Sequence, residues 1–410
     1  MTTVQPTADP LVAPFDFAAR RARLWEALDE RGVDVLFLPA DQSDFEWVTG
    51  VPRRAPSFGN IAYTNHWISG AFVAPGEMPL FVLTRHFQEF DLPDGVDGEV
   101  VTAIETDDGR EVFRSAFDQY RSRRVAVSGP PRAEACEHEG GAGERIAVTG
   151  RTWSEVVVEL RAHRPEADLV IADDILSGLR AIKDPQEIAL MRASAAVVDR
   201  VMAEVAPHVV PGITEIELAS EVDLQMRRHG SSGASFDTGV WGMGPALTRD
   251  ASVRVSTDAL AAGTGVSFDF GAITRGYCSD FGRTVHIGDP SEEYERVHEV
   301  VMAAQEAGRR TAVPGATGGD VHRAAREVID DAGYGDWFRH RVGHCIGLDV
   351  HELPFLSAED ETPLAPGMLF TIEPSVFWPG RVGVRVEDVF LMTESGAVSI
   401  NDHHRDLIAN

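Results

Sequence analysis

Apolar positions recur at helical spacing through residues 15–31 (FDFAARRARLWEALDER), and after Gly32 the pattern changes to VDVLFLPA, an unbroken apolar run. The first pattern predicts an amphipathic helix and the second a buried strand. AFVAP and MPLFVLT predict two more strands around a Pro-Gly turn, and a loop rich in Asp and Gly follows over residues 91–98. RRVAVSG and DLVIADD are later apolar runs of strand length, with helical segments between them. Helices alternating with buried strands predict an α/β domain with a mixed sheet, assigned to residues 1–172.

The character of the chain changes at Asp174. ILSGLRAIK is helical, and Asp184-Pro185 breaks it, placing Pro185 at the start of a long amphipathic helix that enters a second domain, residues 173–410. Pro211-Gly212 stops that helix, and ITEIELASEVDLQMRRHG predicts another, capped by Thr214 and terminated by Gly230. From Phe236 the reading becomes strand and turn, with helices over 292–310 and 319–332 and a curved antiparallel sheet over 370–399. Helices and antiparallel strands in separate runs make this domain α+β.

Within it, SFDFGAITRGYCSDFGRT (residues 267–284) reads as two short antiparallel strands about a turn at Thr274-Arg275-Gly276. A turn centred between Thr274 and Arg275 sets Asp269 opposite Asp280, about 5 Å apart at Cβ. Asp in a hairpin is ordinarily a turn former or a solvated face. Here Phe268, Phe270 and Phe281 imply a buried pair, and two buried like charges call for a cation between them.

Further along, HRVGHCIGLDVHELP carries His340, His344 and His351, a density of histidine unusual for a core. FTIEP and VRVEDV then place Glu373 and Glu387 on the two strands of a hairpin whose turn is Trp378-Pro379-Gly380, again opposite one another. Two aspartates, two glutamates and His344 suit two divalent ions held a few Å apart, whereas four buried carboxylates without metal would carry a prohibitive charge.

Composition removes several other classes. A chain of 410 residues with 43% hydrophobic content buries a sizeable core, and its net charge of -28 repels nucleic acid and anionic membrane. No apolar run reaches the ~18 residues that span a bilayer, and MTTVQPTADPLVAP lacks the shape of a signal peptide, so a cytoplasmic protein is expected. Cys136, Cys278 and Cys345 are odd in number and far apart, which reads as reduced thiols; His138, in the loop PPRAEACEHEGGAGE, reads as solvated. Lys183 is the one lysine and reads as a coding bias.

The five residues Asp269, Asp280, His344, Glu373 and Glu387 resemble, in order and spacing, the metal ligands of the pita-bread-fold metallopeptidases, which include Xaa-Pro aminopeptidase, Xaa-Pro dipeptidase and methionine aminopeptidase. AIKDPQEIALMRASA is similar to the family's entry helix, and the first domain with DFEWVTGV resembles the creatinase-type N-terminal domain of the Xaa-Pro branch. The resemblance implies two divalent ions, manganese before cobalt, zinc or iron, with Asp280 and Glu387 bridging, Asp269 on one ion, and His344 with Glu373 on the other. It implies that Glu373 passes a proton, that His340 and His351 steady the tetrahedral intermediate and leaving group, that Arg385 holds a bridging carboxylate, and that the protein is a homodimer. The expected reaction is hydrolysis of the amide before proline in short peptides.

Three departures stand out. The branch usually carries a further histidine before the first aspartate, but GVWGMGPALTRDASVRVSTDALAAGTG has none, with Arg249 or Asp250 in that region. EPSVF, with Ser375 and Phe377, replaces the usual Glu-Pro-Gly-aromatic, and Cys345 follows His344 where glycine is common. Cys345, next to a ligand on a strand, points away from the ligands' face and is not expected to act as a nucleophile. The missing histidine leaves a second reading, in which the same metals act on a small non-peptide substrate as in an ectoine-type hydrolase or a sulfonium-compound lyase. A third, a binding module without chemistry, fits poorly because all five ligands are present.

Overall fold

Asp184 opens the second half of the chain by capping a helix: its side chain accepts from the amides of Gln186 (3.0 Å) and Glu187 (2.9 Å), and the Glu187 carboxylate accepts the Asp184 amide in return. The computed structural model describes residues 14–53, 64–128, 143–251 and 255–410. The N-terminal lead, Cys136 and His138 lie outside the described residues. The chain forms two units, Pro14–Leu179 and Arg180–Asn410, against the expected boundary after residue 172.

The first unit runs α1 (Phe17–Glu30), β1 (Val35–Pro39), α2 (Ser43–Thr49), β2 (Gly70–Val73), β3 (Leu80–Thr84), α3 (Arg85–Phe90), β4 (Glu99–Ala103), α4 (Gly109–Ser128), β5 (Arg145–Val148), α5 (Ser154–His163) and β6 (Asp168–Ile171). Its sheet has the order β4-β3-β2-β1-β5-β6 and is mixed: β1 and β3 pair antiparallel with β2, while the remaining pairs are parallel. RRVAVSG is not a strand. Residues 123–128 continue α4, because a short apolar run fits either element and here it extends a helix already under way.

α6 (Asp173–Ala181) leads into the second unit, which runs α7 (Pro185–Val205), α8 (Glu215–Arg228), β7 (Gly239–Met243), β8 (Gly265–Phe270), β9 (Ile273–Thr274), β10 (Tyr277–Cys278), β11 (Phe281–His286), α9 (Glu292–Thr311), α10 (Gly318–Asp331), β12 (Gly343–Cys345), β13 (Glu352–Leu356), β14 (Leu369–Ile372), β15 (Ser375–Trp378), β16 (Val382–Arg385), β17 (Asp388–Thr393), β18 (Gly396–Ser399) and β19 (Ile408–Ala409). Two sheets carry it, β19-β11-β8-β7 and β13-β12-β14-β17-β18. Val198, Val201, Val222 and Met226 of α7 and α8 share a core with Phe268, Phe270 and Phe281 of the first sheet. Val297, Val301, Val321 and Ala325 of α9 and α10 do the same with Phe370, Ile372 and Phe390 of the second. Each sheet thus buries one face under a helix pair.

Candidate metal centre

The aspartate hairpin turns one residue later than the sequence suggests. Thr274 pairs with Tyr277, so Arg275 and Gly276 form the turn, both at positive φ (47° and 86°). The register carries into β8 and β11, where Asp269 pairs with Gly282 and Phe270 with Phe281. Asp280 is therefore diagonal to Asp269, not opposite it, which still leaves both on one face. The glutamate hairpin keeps its expected register. Ser375 pairs with Arg385 in one ladder and Ile372 with Asp388 in the next, so Glu373 and Glu387 stand level in the gap between them.

The two hairpins are fastened to each other. Ser267 Oγ donates to Gly383 O at 3.0 Å, Thr284 Oγ1 donates to Arg385 O at 3.1 Å and accepts the Arg385 amide at 3.0 Å. Gly282 and Glu387 form an isolated backbone bridge. Behind them Arg283, 1% exposed, spans Gly282 O, Glu387 O and the Asp388 carboxylate, while Gln305 Nε2 donates to Ile372 O and Asp388 Oδ2.

Asp280, His344 and Glu387, all buried, each offer one ligand atom within 4.8 Å of the others. The His344 Nδ1 donates to Cys345 O at 3.1 Å, which turns Nε2 towards Asp280 Oδ2 (3.3 Å) and Glu373 Oε1 (3.4 Å); burial lowers the imidazole pKa, but Asp280 and Glu373 outweigh it and raise it. Asp280 Oδ1 and Glu387 Oε2 are buried without a hydrogen-bond partner. Burial, and then the charge of Asp280, pushes Glu387 far above the usual carboxylate range. Burial also lifts Asp269 to about 7 against the pull of Arg385, with Asp280 and Glu373 adding to the rise. For Glu373 burial opposes ionisation, but Arg385 and His344 outweigh it and hold the pKa down. Orphaned carboxylate oxygens converging with the His344 Nε2 are the donor set of a hard or borderline divalent cation, so these residues fit a metal site.

Arg385 pairs with Asp269, expected to serve one ion, more closely than with the expected bridging carboxylate, Glu387, whose Oε2 is 3.8 Å away. It also lies 3.7 Å from Glu373 Oε2. His340 is neutral: burial and then the Arg385 charge lower it to about 4. Its Nδ1 donates to Arg341 O and its Nε2 faces Ser375 Oγ, each at 2.6 Å. His351 is exposed, its ring 4.2 Å from that of His344. Cys345 is fully buried and its thiol is pushed up to about 12, which fits its reading as a non-nucleophile. Near the missing histidine, Arg249 is held by Glu215, and both Arg339 Nη atoms donate to Asp250 at 2.7 Å.

Sequence reasoning missed Thr371. Its buried hydroxyl donates to Glu373 Oε1 (3.2 Å) and accepts the His344 amide (3.1 Å), joining two ligand segments. The signal was its place two residues before Glu373, on the same face of the strand.

The profile of Metallopeptidase family M24 matches residues 189–394. The Xaa-Pro dipeptidase of Pyrococcus furiosus is 36% identical over 266 residues, 65% of this chain and 76% of that protein. The crystal structure of recombinant prolidase from Thermococcus sibiricus superposes with a TM-score of 0.83 at 26% identity, covering 97% of this chain and 100% of that one. Dipeptidase PepE from Mycobacterium ulcerans gives 0.78 at 31% identity over 97% and 99%. The chain belongs to metallopeptidase family M24. It is a metal-dependent hydrolase with the pita-bread fold, and its similarity runs to the Xaa-Pro dipeptidase branch.

Proposed function

We propose that this chain hydrolyses the amide bond before proline in dipeptides, and that Asp269, Asp280, His344, Glu373 and Glu387 would hold the two divalent ions the reaction uses. The observation that carries the reading is the buried meeting of Asp280, His344 and Glu387 with two carboxylate oxygens left unpartnered. The similarity to enzymes named Xaa-Pro dipeptidase and prolidase supports the substrate class and does not favour the small non-peptide alternative.

When bound, the ions supply Lewis acidity that lowers the pKa of a water and polarises the scissile carbonyl. Glu373, kept ionised by Arg385 and oriented by Thr371, accepts the water's proton at its carboxylate and delivers it to the departing prolyl nitrogen. His351, exposed beside His344, meets the substrate at the carbonyl. His340, neutral and engaged at both nitrogens, holds Ser375 and the Arg341 backbone in place beside the site.

A set of four carboxylates and one imidazole suits manganese. Buried thiols at Cys278 and Cys345 suit a reducing cytoplasm, the unit Pro14–Leu179 fits a creatinase-like domain, and a homodimer follows the family resemblance. The test is hydrolysis of Ala-Pro, Leu-Pro and Met-Pro against Ala-Ala by protein reconstituted with manganese, cobalt or zinc, with metal content measured. Turnover of the Xaa-Pro set, lost on chelation and restored by metal, is expected. Fully loaded protein that turns over none of the three overturns the reading.

A further inference from the structure

His351 stands on a loop that the strand ladder does not hold. The β12–β13 register shifts between His344, opposite Phe355, and Cys345, opposite Glu352, so residues 346–351 leave the sheet and return to it. Among the described residues no hydrogen bond fixes the His351 ring, which meets the His344 ring edge-on at 4.2 Å. Its place therefore depends on the backbone that carries it.

That backbone is pinned by one carboxylate. Glu352, the next residue, folds back over the loop: a Cβ on Gly347 would lie 2.7 Å from its Oε1 and 2.8 Å from its Oε2. Oε1 accepts the Asp349 amide at 3.2 Å and also accepts from Arg180 Nη2, while Oε2 accepts from Lys183 Nζ at 3.0 Å. The same Arg180 Nη2 donates to Asp349 Oδ2 at 2.9 Å, so one guanidinium ties both ends of Asp349-Val350-His351-Glu352. On the other side of the loop, Gly347 O accepts at 2.8 Å the amide of Cys278, two residues before Asp280. Arg180, Lys183 and Glu352 are all buried. A buried ion cluster gains little stability over apolar packing of the same volume, whereas its directional bonds fix one course for the loop.

We propose that Arg180 and Lys183 are positioning residues for the reaction: acting through Glu352 and Asp349, they hold the loop so that His351 meets the scissile carbonyl. The inference rests on the peptidase reading above. An imidazole that acts on a carbonyl in the transition state must be placed closely, and a misplacement of about 1 Å costs on the order of 100-fold in rate. Without the clamp the loop takes several courses, which lowers kcat and leaves substrate and metal binding in place.

The experiment records NMR spectra of zinc-loaded protein with isotope-labelled histidine rings, as wild type, Arg180→Gln and Asp349→Asn. Asp349→Asn leaves Glu352 paired with both cations and decides the matter if Arg180→Gln does not fold. The His351 signal, assigned by its loss in His351→Ala, is expected to be single and sharp in the wild type and broadened or split in the variants, at unchanged metal content. On Ala-Pro, kcat should fall about 10- to 100-fold at unchanged KM, with part recovered in Arg180→Lys and no further loss when either change is made in a His351→Ala background. A His351 signal that stays single in the variants overturns the proposal, as do losses that add to that of His351→Ala. The two readings fail separately. A His351 signal that depends on Arg180 in a protein that does not hydrolyse Ala-Pro keeps the clamp and removes the peptidase; hydrolysis of Ala-Pro with an undisturbed His351 signal does the reverse.

Discussion

Gly282 and Glu387 are locked by two backbone hydrogen bonds, Gly282 O accepting the Glu387 amide at 3.0 Å and its own amide donating to Glu387 O at 3.4 Å. A Cβ on Gly282 would lie 2.9 Å from Glu387 Oε2 and 2.9 Å from Arg385 Cδ, so the glycine makes room for a carboxylate of the centre. Gly282→Ala is expected to fold with a loss of about 1–3 kcal/mol and to lower metal affinity at least about tenfold, since the side chains that must move are those of the site. Metal titration alongside denaturant unfolding checks this; unchanged affinity would show that Glu387 has slack.

Thr371 supports two ligands with one hydroxyl, so Thr371→Val removes the bond to Glu373 and the acceptor for the His344 amide without changing shape. Metal affinity should fall about 10- to 100-fold. Thr371→Ser should recover most of it. A valine variant that binds metal like the wild type would remove Thr371 from the account.

Lys183 is paired, not incidental. Its Nζ, on a side chain 1% exposed, lies 3.0 Å from Glu352 Oε2, and Arg180 pairs with the same carboxylate. Glu352→Gln strands a buried ammonium and is expected to destabilise this unit by about 3–5 kcal/mol. Adding Lys183→Met should restore part of that loss in a denaturant double-mutant cycle, and strictly additive losses would contradict the pairing.

His298, 6% exposed on α9, is lowered by burial to about 4 from its ordinary 6.5. Between those values the unfolded chain binds the proton and the folded one does not, so stability is full above pH 6.5 and declines as pH falls towards 4. The loss should approach about 3 kcal/mol at the lower end. Unfolding curves at pH 7.5 and pH 5 should show it in the wild type and show less of it in His298→Gln.

Much of the centre was legible because its determinants are local. The alternation around Asp269, Asp280, Glu373 and Glu387 marks buried strands, and a buried carboxylate must find a cation, so the donor set followed from the pattern. The glutamate register could be counted from its turn. The aspartate register could not, because the choice between turns centred one residue apart rests on which residues accept positive φ, and Arg275 does so beside Gly276. RRVAVSG failed for a related reason: apolar content alone does not separate a strand from the end of a helix.

What the sequence determined by itself was which side chains carry the chemistry, since residue type and strand alternation decide which groups are acidic, which are buried and which share a face. Only the tertiary structure decided how they are held. The clamp of Ser267 and Thr284 on β16, the shared hydroxyl of Thr371 and the space left by Gly282 depend on residues brought together from distant parts of the chain. Hydrogen bonds and close packing act over a few Å in space, and the chain's own periodicity carries no record of which remote atoms will meet there.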